Sequence, residues 1–118
     1  MEKRGQKYRR ERLGEALREE IETIVEGELG DPRIGLVGVS AVTLAEDSRS
    51  ARIFVTVEGD DEEARMSLAG LSAAVGYIRH ELAERLQLRR PPELFFQLDR
   101  SPQQRARVEE LLKRTQRK

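Results

Sequence analysis

Few residues of this sequence could carry out catalytic chemistry. The chain has one histidine, His80, and no cysteine, so thiol chemistry, disulfides and zinc–cysteine sites are excluded. No serine pairs with the histidine in a nucleophile pattern, and neither common glycine-rich phosphate loop is present. Acids at 60–63 could hold a metal ion, but their position at a helix start explains them fully. We therefore expect a non-enzyme without cofactor or metal, in which His80 is a surface residue or a phosphate contact.

Charge is distributed unevenly along the chain, although the net charge is zero. Residues 1–13 hold six basic and two acidic side chains, residues 100–118 hold seven and two, and residues 14–99 hold nine and eighteen. Basic ends on an acidic body suggest a polyanionic partner. Arginine outnumbers lysine by eighteen to four. This ratio suits phosphate binding, but genome composition explains it equally well.

Two groups of basic residues are candidate RNA contacts. The first group lies on or just before the first turns of a helix, and the second follows a predicted kink. The groups are Lys7, Arg9, Arg10 and Arg12, and then Arg79, Arg85, Arg89 and Arg90. Positive charge at a helix N-terminus opposes the helix dipole, so we expect a functional reason for the first group. A frayed, solvated terminus is the alternative.

The segment from Asp60 to Arg90 organises the rest of the chain. Asp60 and Glu63 have the spacing of a capping box, and two prolines after Arg90 stop the helix. Apolar residues at steps of three and four form one helical face, at Leu68, Leu71, Val75, Ile78, Leu82 and Leu86. Glycine is unfavourable inside a helix. Gly76, with Gly70 nearby, therefore predicts two helices meeting at a kink.

The kink consists of Ala74, Val75 and Gly76. A small residue followed by glycine permits close approach, either of RNA or of a neighbouring helix. We expect Gly76→Ala to destabilise the fold and to reduce binding, because alanine is costly where glycine has a positive φ or lies against another backbone.

The remaining elements are a first helix at 6–29, strands at 36–44, 51–57 and 93–99, and a last helix from 102 that carries Val108, Leu111 and Leu112. In the second strand Ala51, Ile53, Val55 and Val57 should face the core. We predict an α+β domain at 6–112 between basic tails at 1–5 and 113–118. The order α-β-β-α-kink-α-β favours a three-stranded sheet with helices on one face. This is the order of a type II KH domain.

The N-terminus has no apolar segment after its charges, and no run reaches the roughly 18 apolar residues of a membrane span. We expect a soluble, cytoplasmic monomer. Aromatic residues that could stack on bases are scarce, namely Tyr8, Phe54, Tyr77 and Phe95. This scarcity favours recognition of RNA backbone and shape over base reading.

Several sequence blocks together resemble the bacterial ribosome-binding factor A family. They are Asp31-Pro32-Arg33-Ile34-Gly35, residues 42–47 followed by 51–55, the kink with Tyr77-Ile78-Arg79, and residues 92–96 with Asp99-Arg100-Ser101. The resemblance covers roughly residues 6–112. Arg105 stands where the family is expected to have glycine.

The resemblance implies a KH-like fold in which an Ala-x-Gly kink replaces the Gly-x-x-Gly turn. It further implies binding to the free small (30S) ribosomal subunit, non-catalytic assistance to late rRNA maturation including 5′-end processing, and a requirement for growth in the cold. The alternative is a protein-interaction module that docks a ribosomal protein or an assembly GTPase through its acidic face.

Overall fold

The computed structural model describes residues 4–99, in which three helices and three strands follow one another in the predicted order. The elements are α1 (Arg4–Gly27), β1 (Val37–Leu44), β2 (Ser50–Val57), α2 (Asp61–Ala73), α3 (Val75–Arg85) and β3 (Glu93–Leu98). The α+β class and the order α-β-β-α-kink-α-β are confirmed. The predicted last helix from 102 and the tail at 113–118 lie outside the described residues.

The three strands form one sheet in the order β1-β2-β3. β1 and β2 are an antiparallel hairpin with a bulge between Val39 and Ala41. β3 lies parallel to β2, with Ser50 opposite Glu93 and Val55 opposite Leu98. A parallel pair needs a long crossover connection, and α2 with α3 supplies it.

One face of the sheet carries the core. Ala51, Ile53 and Val55 of β2 are buried as predicted, and the helices pack over them with Leu17, Ile21, Ile24, Leu71, Ile78 and Leu82, none of which has exposed surface. The other side, here called the open face, carries Ser40, Thr43, Arg52, Phe54, Thr56, Phe95 and Gln97. The alternation of side chains along each strand separates the two faces.

The predicted start of α2 is confirmed. The Asp60 carboxylate accepts the Glu63 backbone N–H at 2.8 Å, and the Glu63 carboxylate accepts the Asp60 N–H at 3.4 Å. These two bonds satisfy N–H groups that have no partner inside the helix. The helix therefore begins where the sequence pattern placed it.

α3 ends at Arg85, five residues before the predicted end at Arg90. Gln87 has a φ of 56°, and the Leu88 N–H donates to the Ala83 carbonyl at 2.9 Å. A left-handed residue followed by this bond is the Schellman ending of a helix. The chain has therefore already turned when it reaches Arg89, and the arginines at 89 and 90 lie on a loop.

The loop after α1 is docked on α2. Ser67, the one buried polar residue among those described, accepts the Gly35 N–H at 3.1 Å and donates to the Arg33 carbonyl at 3.4 Å. One turn later, a Cβ at Gly70 would lie only 2.6 Å from Cγ1 of Ile34. Gly70 thus makes room for the loop, which gives the motif at 31–35 a structural role.

Candidate nucleic-acid interface

The first turns of α1 present the N-terminal basic group at the surface. Lys7, Arg9 and Arg12 are exposed and Arg10 is half-buried. The Arg12 guanidinium lies 5.8 Å from the ring centroid of Tyr8, a cation–π distance that keeps the charge at the surface. Arg9 and Arg10 line a cleft together with Leu13 and the turn at 46–48. The group therefore belongs to the end of the molecule that carries the β1–β2 turn.

Arg89 and Arg90 lie on the loop between α3 and β3, and both are exposed. The next two residues are held in place by Arg79. Its Nε donates to the Pro92 carbonyl at 3.0 Å, and its Nη2 donates to the Pro91 carbonyl at 2.8 Å. The Glu93 N–H then donates to the Arg49 carbonyl at 2.9 Å. The loop thus enters the sheet beside the same β1–β2 turn.

These contacts place both predicted basic groups, apart from Arg79 and Arg85, next to the β1–β2 turn. We call the resulting surface the basic end, comprising Lys7, Arg9, Arg10, Arg12, Arg49, Arg89 and Arg90. Arg49 was not among the predicted residues, because one arginine in a turn has no distinguishing sequence signal. Acids are present as well, since Glu46 and Asp47 occupy the same turn. The Asp47 carboxylate accepts the Arg49 backbone N–H at 3.0 Å.

The Arg79 side chain forms hydrogen bonds within the protein. The sequence prediction gave it as an RNA contact, but its guanidinium donates to the carbonyls of Pro91 and Pro92. Those carbonyls belong to the loop that carries Arg89 and Arg90. Arg79 therefore holds the loop of the basic end in place, and its contact with RNA stays a prediction.

Arg85, the other predicted RNA contact on α3, also pairs within the protein. Its guanidinium contacts the carboxylates of Glu28, Glu81 at 2.9 Å and Glu20 at 3.6 Å, and so joins α3 to the C-terminal half of α1. The hydrogen bond from Arg85 lowers the pKa of Glu28, with a further contribution from the hydroxyl of Tyr77. These three carboxylates give Arg85 a role in packing α3 against α1. Its predicted contact with RNA stays a prediction.

The kink is real and lies at Ala74. This residue has φ −90° and ψ 1° and serves both as the C-cap of α2 and as the N-cap of α3. Gly76 lies in the first turn of α3, where its φ is not positive and an added Cβ would meet no atom within 4 Å. Gly76 is thus neither strained nor packed against another backbone.

The kink lies away from the α1 residues of the basic end. The Tyr77 hydroxyl donates to Glu28 at 3.2 Å, which places the kink near the C-terminus of α1. Arg12 precedes Glu28 by sixteen residues, which along a helix is about 24 Å. The structure therefore separates the kink from the α1 basic residues, whereas Arg79, three residues after Gly76, contacts the loop that carries Arg89 and Arg90.

The histidine and the acidic residues at 60–63 lie on the surface or make structural contacts. His80 is exposed, and its Nε2 lies 3.9 Å from a carboxylate oxygen of Glu84. Asp60 and Glu63 cap α2, and Glu62 pairs with Arg65. Within residues 4–99 no group of three metal-ligating side chains occurs. No helix in this part of the chain is long and apolar enough to cross a membrane.

Comparison with known proteins decides the family. The sequence pattern described as "Ribosome-binding factor A" matches residues 9–112. The chain belongs to the ribosome-binding factor A family. The ribosome-binding factor A of Koribacter versatilis is 60% identical over 114 residues, covering 97% of this chain and 93% of the relative. That of Solibacter usitatus is 43% identical over 106 residues, covering 90% and 86%.

Solved structures of the family share the fold. The crystal structure of ribosome-binding factor A from Thermus thermophilus superposes with a TM-score of 0.67 at 29% identity, covering 75% of this chain and 93% of that one. A solution structure of a putative family member from Thermotoga maritima gives 0.69 at 30% identity, covering 76% and 86%. A Thermus thermophilus homology model, fitted into a cryo-EM map of a 30S complex of that factor, gives 0.62 at 31%, covering 74% and 91%.

The surroundings of Gly76 reverse the expectation for Gly76→Ala. Alanine has open space there and an accessible backbone conformation, so the substitution should stabilise the protein by roughly 0.4–1 kcal/mol. Urea unfolding measures the change. A loss of stability would show that the kink backbone is strained after all. Reduced subunit binding by this more stable variant would identify the kink as a second contact with RNA.

A low pH should reduce the contribution of Arg85 to the stability of the fold. Because Glu28 has a lowered pKa in the folded protein, its pairing stabilises the fold above the ordinary glutamate pKa of about 4.5. This stabilisation disappears as the pH falls through the lowered value. The difference in unfolding free energy between wild type and Arg85→Ala should therefore be larger at neutral pH than in acid. Arg52→Ala, on the open face, is the control, and a difference that is independent of pH would contradict the pairing.

Proposed function

We propose that this protein binds the free small ribosomal subunit through its basic end and assists late maturation of the subunit's rRNA, including processing of its 5′ end, without catalysing a reaction. The observation that carries the proposal is the convergence of the α1 basic residues with Arg89 and Arg90 at one end of the sheet. Membership of a ribosome-binding family supports it, as does the 30S complex of the Thermus thermophilus factor.

The physical basis is neutralisation of phosphate by arginine. A guanidinium can donate two parallel hydrogen bonds to one phosphate group. Binding also releases the counterions condensed along the RNA, and this release supplies much of the affinity. Such contacts recognise the path of the backbone rather than the base sequence. A rigid group of arginines would therefore select a particular folded arrangement of rRNA strands.

Binding alone can drive a maturation step. A protein that binds one conformation of the rRNA more tightly than another shifts the population towards the first by its differential affinity. The protein would hold the subunit in the conformation that processing requires and would leave when that conformation no longer fits. This mechanism needs no nucleophile, metal or cofactor. It would operate on monomers in the cytoplasm and would matter most in the cold, where misfolded RNA rearranges slowly.

Sedimentation with purified ribosomal particles tests the partner. The protein should pellet with free small subunits and only weakly, or not at all, with joined ribosomes. Equal pelleting with large subunits would contradict the proposed function while leaving the family assignment intact.

Docking of a protein through the acidic face remains the second candidate. Glu15, Glu19 and Glu26 are exposed along α1, and this surface could meet a basic ribosomal protein or an assembly GTPase. Charge substitution separates the two candidates. Replacing Glu15, Glu19 and Glu26 with glutamine should weaken docking of a basic protein on this face, whereas binding of RNA phosphates at the basic end should be unchanged or stronger, because it loses no positive charge.

A further inference from the structure

The open face of the sheet exposes an aromatic ring beside a free cation. Phe95 of β3 is 53% exposed, and it stands opposite Arg52 in the β2–β3 register. Arg52 is exposed and has no hydrogen-bond or ion-pair partner within residues 4–99. Phe54 is half-buried on the same face, diagonally from Phe95 at about 8 Å between Cα atoms. None of these three side chains belongs to the core, so their placement on this face needs another explanation.

Polar groups surround the exposed ring. Thr43, Thr56 and Gln97 lie on the open face and are exposed, and their hydroxyls and amide can both donate and accept hydrogen bonds. Two acids, Glu93 and Asp99, stand at opposite ends of β3, and the Asp99 carboxylate accepts a serine hydroxyl of β1 at 2.8 Å. The core of a protein–protein interface is more apolar than this. The face instead fits a ligand with a flat apolar ring and polar edges.

The open face is continuous with the basic end. The Glu93 N–H donates to the Arg49 carbonyl at 2.9 Å, so β3 enters the sheet beside Arg49. The exposed Arg89 and Arg90 belong to the loop that leads into β3. Phe95 lies two residues beyond Glu93, which along a strand is about 7 Å. An RNA strand whose phosphates contact these arginines therefore reaches Phe95 without leaving the surface.

We propose that Phe95 is a stacking platform for an unpaired RNA base, and that Arg52 contacts the phosphate next to that base. Stacking tolerates any sequence, because every base has a π-face. The platform therefore selects RNA that is single-stranded at this point, since a paired base is already stacked inside its helix. It lets the protein distinguish an rRNA segment that is still unpaired from the same segment after pairing. This inference rests on the proposed function, because it takes RNA as the ligand of the basic end.

A fluorescent reporter in the full chain tests the stacking. The chain has no tryptophan, so Phe95→Trp places a single indole at the platform and keeps an aromatic ring there. Oligoadenylate should quench its fluorescence, because a base lies against the indole, whereas duplex RNA of the same length should not. Tyr77→Trp is the control, since Tyr77 is also exposed but lies at the kink, and its fluorescence should not respond. Equal quenching of the Phe95→Trp variant by both RNAs, or quenching by neither, would overturn the proposal.

Binding to free small subunits separates the platform from the basic end. Phe95→Leu, which keeps an apolar side chain but has no π-face, should weaken binding on the order of 10-fold. The log–log salt slope should stay unchanged, because stacking releases no counterions. Phe95→Tyr should bind like wild type, and both variants should keep the wild-type unfolding midpoint in urea.

Equal binding by Phe95→Leu and wild type, or an equal loss in Phe95→Leu and Phe95→Tyr, would contradict stacking. A lower unfolding midpoint for Phe95→Leu without a change in binding would show that the ring only packs against the sheet. If wild type does not pellet with small subunits, the proposed function is wrong, whereas quenching by oligoadenylate does not involve subunits. Failure of the platform and failure of the proposed function are therefore distinguishable.

Discussion

Replacing Arg9, Arg89 and Arg90 together with alanine should weaken binding to free small subunits by on the order of 100-fold at physiological salt. The estimate treats each arginine as one phosphate contact and takes the electrostatic contribution to vanish near 1 M salt. Stability should change little, because the three side chains are exposed and such substitutions usually cost within about 0.5 kcal/mol each. The log–log salt slope should become shallower by about two to three.

A charge-matched variant separates local contact from overall charge. Arg18, Arg33 and Arg65 pair with carboxylates on their own helix or loop, and their replacement by alanine removes the same three positive charges. We expect this control to bind within a few-fold of wild type. Equal losses in the two triple variants would mean that net charge, and not the basic end, determines binding.

Gly70→Ala should destabilise the protein by about 1–3 kcal/mol, the usual cost of forcing an extra methyl into a packed region. The new Cβ would lie 2.6 Å from Cγ1 of Ile34 and 3.3 Å from the Asp31 carboxylate. Cγ1 is the branch of a half-buried side chain rather than a mobile tip. The loop at 31–35 would have to move away from α2, which would also strain the bonds of Ser67. Urea unfolding measures the loss.

Gly76→Ala is the matched control for Gly70→Ala, because both glycines lie in the two-helix crossover and only Gly70 is packed. The two substitutions should change the free energy of unfolding in opposite directions: Gly70→Ala should lower it and Gly76→Ala should raise it. A Gly70→Ala variant as stable as wild type would show that the loop is not seated against α2.

Local patterns predicted most of the fold. The apolar steps along α2 and α3, the capping box at Asp60 and the alternation along β2 each depend on neighbouring residues, and the structure agrees with all three. The end of α3 was missed because it depends on a left-handed Gln87. Glutamine has no preference for that conformation, and the prolines at 91 and 92 offered a stronger but later stop signal.

The contacts of Arg79 and Arg85 within the protein could not be predicted, because their partners lie far away in the sequence. Arg85 has the sequence context of a solvent-exposed arginine, yet Glu28, its partner, lies 57 residues away along the chain. The carbonyls bound by Arg79 lie 12 and 13 residues away. The sequence also could not show which of Gly70 and Gly76 is closely packed, because the difference comes from the loop after α1, which lies against Gly70 only. The exposed basic residues could be identified from the sequence because exposure depends on no distant partner, and their contact with RNA stays a prediction.

Tethered hydroxyl-radical probing of the protein bound to free small subunits tests the central claim most directly. The chain has no cysteine, so Glu11→Cys and Glu26→Cys can each carry a single iron chelate. Both glutamates are exposed on α1, and the fifteen residues between them correspond to about 22 Å along the helix. Cleavage of small-subunit rRNA should be strong from position 11, beside the basic end, and weak from position 26. Cleavage that is equal from the two positions, or stronger from position 26, would contradict binding through the basic end.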